Sequence, residues 1–193
     1  KENKLYPLND TGNAQMFYDL YKGIIKYNTD DSVFMIYNSG NGTWERDNKE
    51  SIRAKFYADL MIELMHKTAA HLPENYNERD YNANIKHLSS SGGKEAMLKE
   101  VKHMGEIPCI NEDFDKDRFL LNTLDGVINL ASGEIMEQSP AFMMSRNTYT
   151  HYNTIDEPTR WVKFIDETTC GNKELAIYLK KALGYTLTGS AEE

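Results

Sequence analysis

The sequence predicts an α+β domain, mainly helical, with a small antiparallel β-hairpin or meander and a C-terminal helical hairpin. Three observations carry this reading. Apolar residues recur at helical spacing over several stretches, most clearly Ile52, Phe56, Leu60 and Leu64 beside Tyr57, Met61 and Met65. Two segments read instead as strand and turn: Val33 to Tyr37 with Thr43 to Glu45, and Phe119 to Glu137. The chain then closes on two amphipathic stretches joined at Gly171-Asn172.

Taken in order, Asp10 or Thr11 can cap a first helix. Met16, Phe17, Leu20 and Tyr21 form its apolar stripe and Gly23 ends it. Val33 to Tyr37 is a strand, and Asn38-Ser39-Gly40-Asn41-Gly42 is a turn in which Gly and Asn tolerate positive φ. Thr43-Trp44-Glu45 is the returning strand. Asn48 starts a long helix that Pro73 stops, and both apolar rows named above make one broad face that must pack on something. Glu74 to Leu88 is polar and weakly helical. Ser91 caps a helix through Met97, Leu98 and Val101 to Met104. The character then changes to a meander: Phe119 to Asn122, a turn at Asp125-Gly126, Val127 to Leu130, a turn at Ser132-Gly133, and Glu134 to Glu137. Pro140 to Tyr152 is irregular. Asp156 caps the first closing helix, Pro158 lies in its first turn, and Trp161, Phe164 and Ile165 make its apolar face. Asn172 caps the second, which carries Leu175, Tyr178, Leu179, Ala182 and Leu183 and ends at Gly184 or Gly189.

The 193 residues are 40% hydrophobic and 27% charged, the composition of a soluble chain with a proper core rather than a disordered one. Lys and Arg number 22 against 30 Asp and Glu, a formal net charge of −8. Such a balance disfavours tight stand-alone binding of nucleic acid, whose non-specific affinity comes from neutralised phosphates. The best local basic patch is Arg46, Lys49, Arg53 and Lys55, diluted by Glu45, Asp47 and Glu50. The two cysteines, Cys109 and Cys170, form no CxxC, so neither a disulfide framework nor zinc is expected. Two buried, reduced thiols, no membrane span and no signal peptide point to a cytoplasmic protein. The chain starts at Lys1 without Met and reads as an excised fragment.

Tests for chemistry come out negative. Gly92-Gly93-Lys94 is the nearest approach to a P-loop, but Glu95 replaces the hydroxyl and Leu88 stands where the first glycine belongs. Asn111, Asp113, Asp115 and Asp117 alternate as in an EF-hand, yet Arg118 and Leu124 occupy the required Gly and Glu positions. The five histidines form no HExxH, and no G-x-S-x-G elbow is present. No catalytic or metal-binding residues are assigned.

Three stretches resemble one family. Leu8-Asn9-Asp10-Thr11-Gly12-Asn13-Ala14 resembles the T-D-x-G-N-A start of the domain preceding the superfamily 3 helicase in phage, plasmid and poxvirus primase–helicases, the poxvirus D-five N-terminal-like domain. Leu120-Leu121-Asn122 through Gly126, Leu130 and Ser132-Gly133-Glu134 resembles its L-L-N-x-x-x-G-x-x-[DN]-L-x-[ST]-G-E hairpin. Ala182-Leu183-Gly184-Tyr185-Thr186-Leu187-Thr188-Gly189 resembles its A-L-G-Y-x-L-T-G segment, and Trp44 fits a W-x-x-[WY]-x-G-x-x-W hairpin whose first aromatics are replaced here.

The resemblance implies a non-catalytic connecting and assembly domain over residues 1–188, with 156–188 as its helical hairpin and 189–193 beginning a linker to a helicase motor. It implies no cofactor in this segment, with ATP and magnesium in that motor, and partners that are the motor, neighbouring protomers of a hexameric ring and, weakly, DNA. A primase module often lies upstream in such proteins. The expected docking residues are Trp161, Phe164, Tyr178, Leu183 and Tyr185. The alternative is a module that binds single-stranded or origin DNA through Arg46, Lys49, Arg53 and Lys55; a hydrolase built on Asp113 to Asp117 is a third, weaker reading.

Overall fold

The computed structural model describes residues 6–72, 77–152 and 158–189. It is α+β, and the chain clusters into two compact units: residues 1–37 with 44–113, and residues 38–43 with 114–193. The change in sequence character before Phe119 falls near the third passage of the chain from one unit to the other, at residues 113–114.

The first unit begins with helix α1 (Asp10–Tyr21). Its cap is Asn9, one residue before the expected Asp10 or Thr11: the Asn9 side chain accepts from the Gly12 N–H at 2.9 Å. A Cβ on Gly12 would lie 1.9 Å from the Pro7 carbonyl oxygen, so only glycine fits there. Strands β1 (Ile25–Asn28), β2 (Val33–Asn38), β3 (Thr43–Arg46) and β4 (Pro108–Cys109) make a sheet of order β3-β2-β1-β4. β1 and β2 are antiparallel, pairing Ile25 with Ile36; β4 joins parallel to β1, pairing Asn28 with Cys109. The β1–β4 pair has no counterpart in the sequence analysis. Phe34 and Ile36 alternate onto the helical core, as the period of two requires.

Helix α2 (Ile52–Thr68) starts four residues later than Asn48 suggests. Buried Asp47, 5% exposed, caps it by accepting from the N–H groups of Asn48, Arg53 and Ala54 at 2.8, 3.1 and 2.9 Å. Its buried face is Ala54, Ala58, Met61, Ile62 and Met65. The row Ile52, Phe56, Leu60 and Leu64, half of the broad face expected to pack, is exposed. The alanines allow close approach to α3 (Glu78–Leu88) and α4 (Ser91–Val101), and this rotates the larger row outward. Helix α4 is capped by Ser90, not Ser91. It packs on α1 and brings Met97, Leu98 and Val101 to Phe17 and Ala14 in one core.

The second unit carries the three-stranded antiparallel meander β5 (Leu120–Asn122), β6 (Val127–Asn129) and β7 (Ile135–Met136), as the turn chemistry predicts. Gly126 has φ +151°, and a Cβ there would sit 2.5 Å from the Met136 carbonyl oxygen. Helices α5 (Thr159–Thr169) and α6 (Lys173–Thr186) form the closing hairpin. Asn172 caps α6, accepting from Glu174 and Leu175 N–H at 3.1 Å each. Helix α6 runs through Gly184 to Thr186. Asp156 and Pro73 lie outside the described residues. No described helix is long and apolar enough to cross a membrane.

Candidate functional site

The α5–α6 hairpin is built by local chemistry. Cys170 and Gly171 both take positive φ, +51° and +75°, and the Gly171 N–H returns to the Asp166 carbonyl at 3.1 Å, which closes α5. Asn172 then opens α6. Ile165 and Thr169 face inward from α5, whereas α6 has no buried residue. Trp161, Phe164, Tyr178, Leu183 and Tyr185, the expected docking residues, are all exposed, Tyr178 at 66%. The rings of Trp161 and Phe164 stack with centroids 5.6 Å apart at 28°, and with Pro158, Thr159 and Arg160 they line a shallow surface groove. Val162, Leu175, Ile177 and Leu187 are exposed as well. At about 200 Å² for a large side chain fully in water, and with each of these about half exposed, the hairpin offers on the order of 900 Å² of apolar residue surface.

The basic patch is laced with carboxylates. Arg46 meets Asp31 at 2.7 Å, Arg53 meets Glu45 at 2.8 Å and Lys55 meets Glu95 at 2.9 Å. The Lys55 hydrogen bond and charge, with a further bond from Ser91, hold the Glu95 carboxyl below its ordinary value. Lys49 is exposed and has no ion pair among the described residues. The four cations share one stretch, but three already have anionic partners within their own unit. Exposed pairs of this kind are weak and exchangeable.

The remaining motifs have structural employment. Gly93 sits in the first turn of α4, where a Cβ would approach the His87 carbonyl oxygen to 2.2 Å, and Lys94 pairs with Asp59. Asp113 accepts from the Ile110 N–H, Asp115 from the Ser145 N–H and hydroxyl, and Asp117 from the Phe119 N–H. Among the described residues no three His, Cys, Asp or Glu side chains gather as a metal group would require. His87 bonds Asp10 and His151 bonds Asp125, each at 2.9 Å. In the turn after β2, Asn41 turns its side-chain oxygen to the N–H and hydroxyl of Thr43.

Two features escaped the sequence reading. One is the outward row Ile52, Phe56, Leu60 and Leu64; its only signal was that α2 carries more apolar positions than one core face can absorb. The other is Asn122, 2% exposed and the hub of the second unit. Its amide donates to the carbonyls of Asn41, Gly42 and Arg146 at 3.0, 3.2 and 3.1 Å and its oxygen accepts from Gln138 at 3.0 Å. The L-L-N motif residue is therefore a structural anchor. The Gly12-Asn13-Ala14 motif is one too: Ala14 is fully buried and Asn13 bonds Asn84 in the core.

No curated protein matches the chain. The family described as D5 N terminal like matches residues 14–170, well over half of the sequence, from the buried Ala14 of α1 to the turn inside the closing hairpin. With its motif residues accounted for as the anchors of both units, the chain belongs to the D5 N-terminal-like family.

Proposed function

We propose that this chain is a connecting and assembly domain of a DNA-replication primase–helicase, and that its α5–α6 hairpin is the element that docks. The observation behind this is the uncovered apolar surface of that hairpin, with Trp161, Phe164, Tyr178, Leu183 and Tyr185 all exposed. About 800 Å² per partner is what a standard stable interface buries, and one side of the hairpin would supply a part of it. Family membership supplies the replication context. In this reading the parent is a superfamily 3 helicase of phage, prophage or plasmid origin, working as a hexameric ring. ATP and magnesium are handled by its motor, and this domain contributes contacts to the motor and to neighbouring protomers.

The test is to place charge on the hairpin in the full-length parent. Trp161→Glu and Tyr178→Glu should reduce ring assembly, followed by light scattering, and strand unwinding together. Normal assembly and unwinding by both variants would rule the docking role out. The DNA-binding alternative through Arg46, Lys49, Arg53 and Lys55 has less behind it, since Asp31, Glu45 and Glu95 already neutralise three of the four. It requires binding that falls with salt and disappears when the four are changed to Glu.

A further inference from the structure

We infer that the second unit holds a site for one unpaired nucleotide, at a gap in the outer edge of β5. The base presents its Watson–Crick edge to the Leu120 carbonyl and the Asn122 N–H, and its phosphate meets Arg146 and Arg118. The site depends neither on the hairpin's docking role nor on the patch of Arg46, Lys49, Arg53 and Lys55.

Hydrogen-bond parity along β5 defines the gap. Leu130 N–H donates to the Phe119 carbonyl and Thr123 N–H to the Gly126 carbonyl, each at 2.8 Å, and Leu121 is in register with Ile128. Odd-numbered residues therefore turn their backbone groups to β6, and even-numbered ones turn theirs to the opposite edge. That edge is covered at both ends. Gly189 N–H reaches the Arg118 carbonyl at 2.9 Å, Thr148 N–H the Asn122 carbonyl at 2.9 Å, and Leu124 N–H the Thr150 carbonyl at 3.0 Å. Between them, the Leu120 carbonyl and the Asn122 N–H have no hydrogen-bond partner among the described residues. Asn122 is only 2% exposed, so its N–H calls for an acceptor. Both residues line a groove of about 340 Å³, within the range of small-molecule sites.

The two backbone groups select the ligand. A carbonyl and an N–H two residues apart on one strand edge are matched by a donor beside an acceptor in a single plane. The Watson–Crick edge of an unpaired base offers that pair: an amino group beside a ring nitrogen in adenine and cytosine, a ring N–H beside a carbonyl in guanine and thymine. An extended peptide offers it too, but Gly189 and Thr148 occupy the same edge on either side of a gap about 13 Å long. A flat ring enters end-on where a strand is blocked. Leu120, Met144 and Leu187 line the groove and give the ring apolar surface. Arg118 and Arg146 line it as well, and the exposed Arg146 guanidinium has no ion pair among the described residues. Guanidinium geometry suits phosphate. Asp115 and Asp117 also line the groove and keep the affinity modest; Asp115 already accepts from Ser145, and Asp117 from the Phe119 N–H. The wall is strained: Asp115, Met143 and Tyr149 take φ of +53°, +50° and +54°, and the Asp115 N–H holds the Met143 carbonyl at 3.0 Å. Such backbone clusters at ligand clamps.

The experiment follows the backbone amide NMR signals of the whole 193-residue chain during titration. The probes are deoxyadenosine monophosphate, the same nucleotide without its 6-amino group, deoxyribose 5-phosphate, a single-stranded oligodeoxyadenylate and trialanine. Deoxyadenosine monophosphate should shift the Asn122 amide saturably. The analogue without the amino group and the bare sugar phosphate should bind about tenfold more weakly or worse. Arg146→Gln, an exposed change whose spectrum reports its own folding, should weaken the nucleotide about tenfold. Changing Arg46, Lys49, Arg53 and Lys55 together to Glu should leave it unaltered. Tighter binding of the oligonucleotide would identify a single strand as the source, and tighter binding of the mononucleotide a free nucleotide; the site stands in both cases. Equal binding of the sugar phosphate would reduce it to a phosphate contact and overturn the base site. An Asn122 amide that no nucleotide shifts, or that only trialanine shifts, would overturn it too, as would binding lost in the four-residue variant but kept by Arg146→Gln.

Discussion

Asn13 of α1 and Asn84 of α3 exchange a reciprocal pair of hydrogen bonds in the core of the first unit. The Asn13 amide donates to Asn84 Oδ1 at 3.0 Å and the Asn84 amide donates to Asn13 Oδ1 at 2.8 Å, across 71 positions of sequence. The two residues are only 2% and 6% exposed, so each side chain is the other's substitute for water.

Removing one partner strands the other. Asn13→Ala or Asn84→Ala should each cost about 2 kcal/mol of unfolding free energy, the penalty of a buried amide left unpaired. The double alanine variant should cost less than the sum by about 1 kcal/mol or more, because it leaves no orphan. Urea denaturation of the four proteins checks this, and strictly additive losses would show that the pair is not coupled.

Asn122 should be the most sensitive position of the meander. It donates to three carbonyls and accepts from Gln138, so Asn122→Ala should cost about 3 kcal/mol. Asn122→Asp should do no better, since a carboxylate has no N–H to offer Asn41, Gly42 or Arg146. Phe119→Ala, at a half-exposed neighbour, should cost about 0.5 kcal/mol. Thermal unfolding of the three variants gives the ranking.

The loop after the meander carries a pH-dependent tie. Hydrogen bonds from His151 and from the Tyr152 N–H hold the Asp125 carboxyl below its ordinary 3.8. A lowered carboxylate keeps its contribution above the ordinary value and loses it as pH falls through the folded-state value. The tie should therefore hold at neutral pH and release only below about pH 4. In an NMR titration His151→Ala should move Asp125 back up towards 3.8. An unmoved midpoint would assign the lowering to Tyr152 alone.

The two thiols should react very differently. Burial pushes Cys109 up to about 11, with Lys26 only partly offsetting it, whereas Cys170 is exposed at the end of α5. Brief alkylation of the folded chain near neutral pH should modify Cys170 and spare Cys109, and unfolding should expose both. Intact-mass measurement before and after denaturant distinguishes the two states.

What could be read from the sequence was mostly local. The meander was legible because Asp125-Gly126 and Ser132-Gly133 dictate their own turns, and the closing hairpin because Gly171 and Asn172 end one helix and cap the next. Caps missed by one position, Asn9 for Asp10 and Ser90 for Ser91, because neighbouring polar residues can serve equally until the backbone chooses. The buried side of α2 was not legible. Two large apolar rows competed for the core, and the decision fell to Ala54 and Ala58, whose small size sets how closely α3 and α4 approach. The parallel pairing of β1 with Pro108-Cys109 joins segments some 80 residues apart and leaves no periodic trace. For the candidate surfaces, the apolar residues of the hairpin could be named in advance, but not that α6 would bury none of them. Dilution of the basic patch by Glu45 was visible; the pairing of Lys55 with Glu95, 40 positions away, was not.

The six residues Asn38–Thr43 form the tip of the β2–β3 hairpin, yet they cluster with residues 114–193. Neither unit is thus a continuous run of chain, which bears on how a ribosome makes this protein. The Asn41 and Gly42 carbonyls are synthesised 81 and 80 residues before the Asn122 amide that they accept from. Until Asn122 emerges, the nascent hairpin shows those carbonyls to water, and the second unit cannot complete its hub. A cut between residues 113 and 114 would not give two independent halves: the C-terminal piece would lack the tip, and the N-terminal piece would present it without its partner. The order of synthesis, first strand pair and last meander, is in this way written into the wiring of the two units.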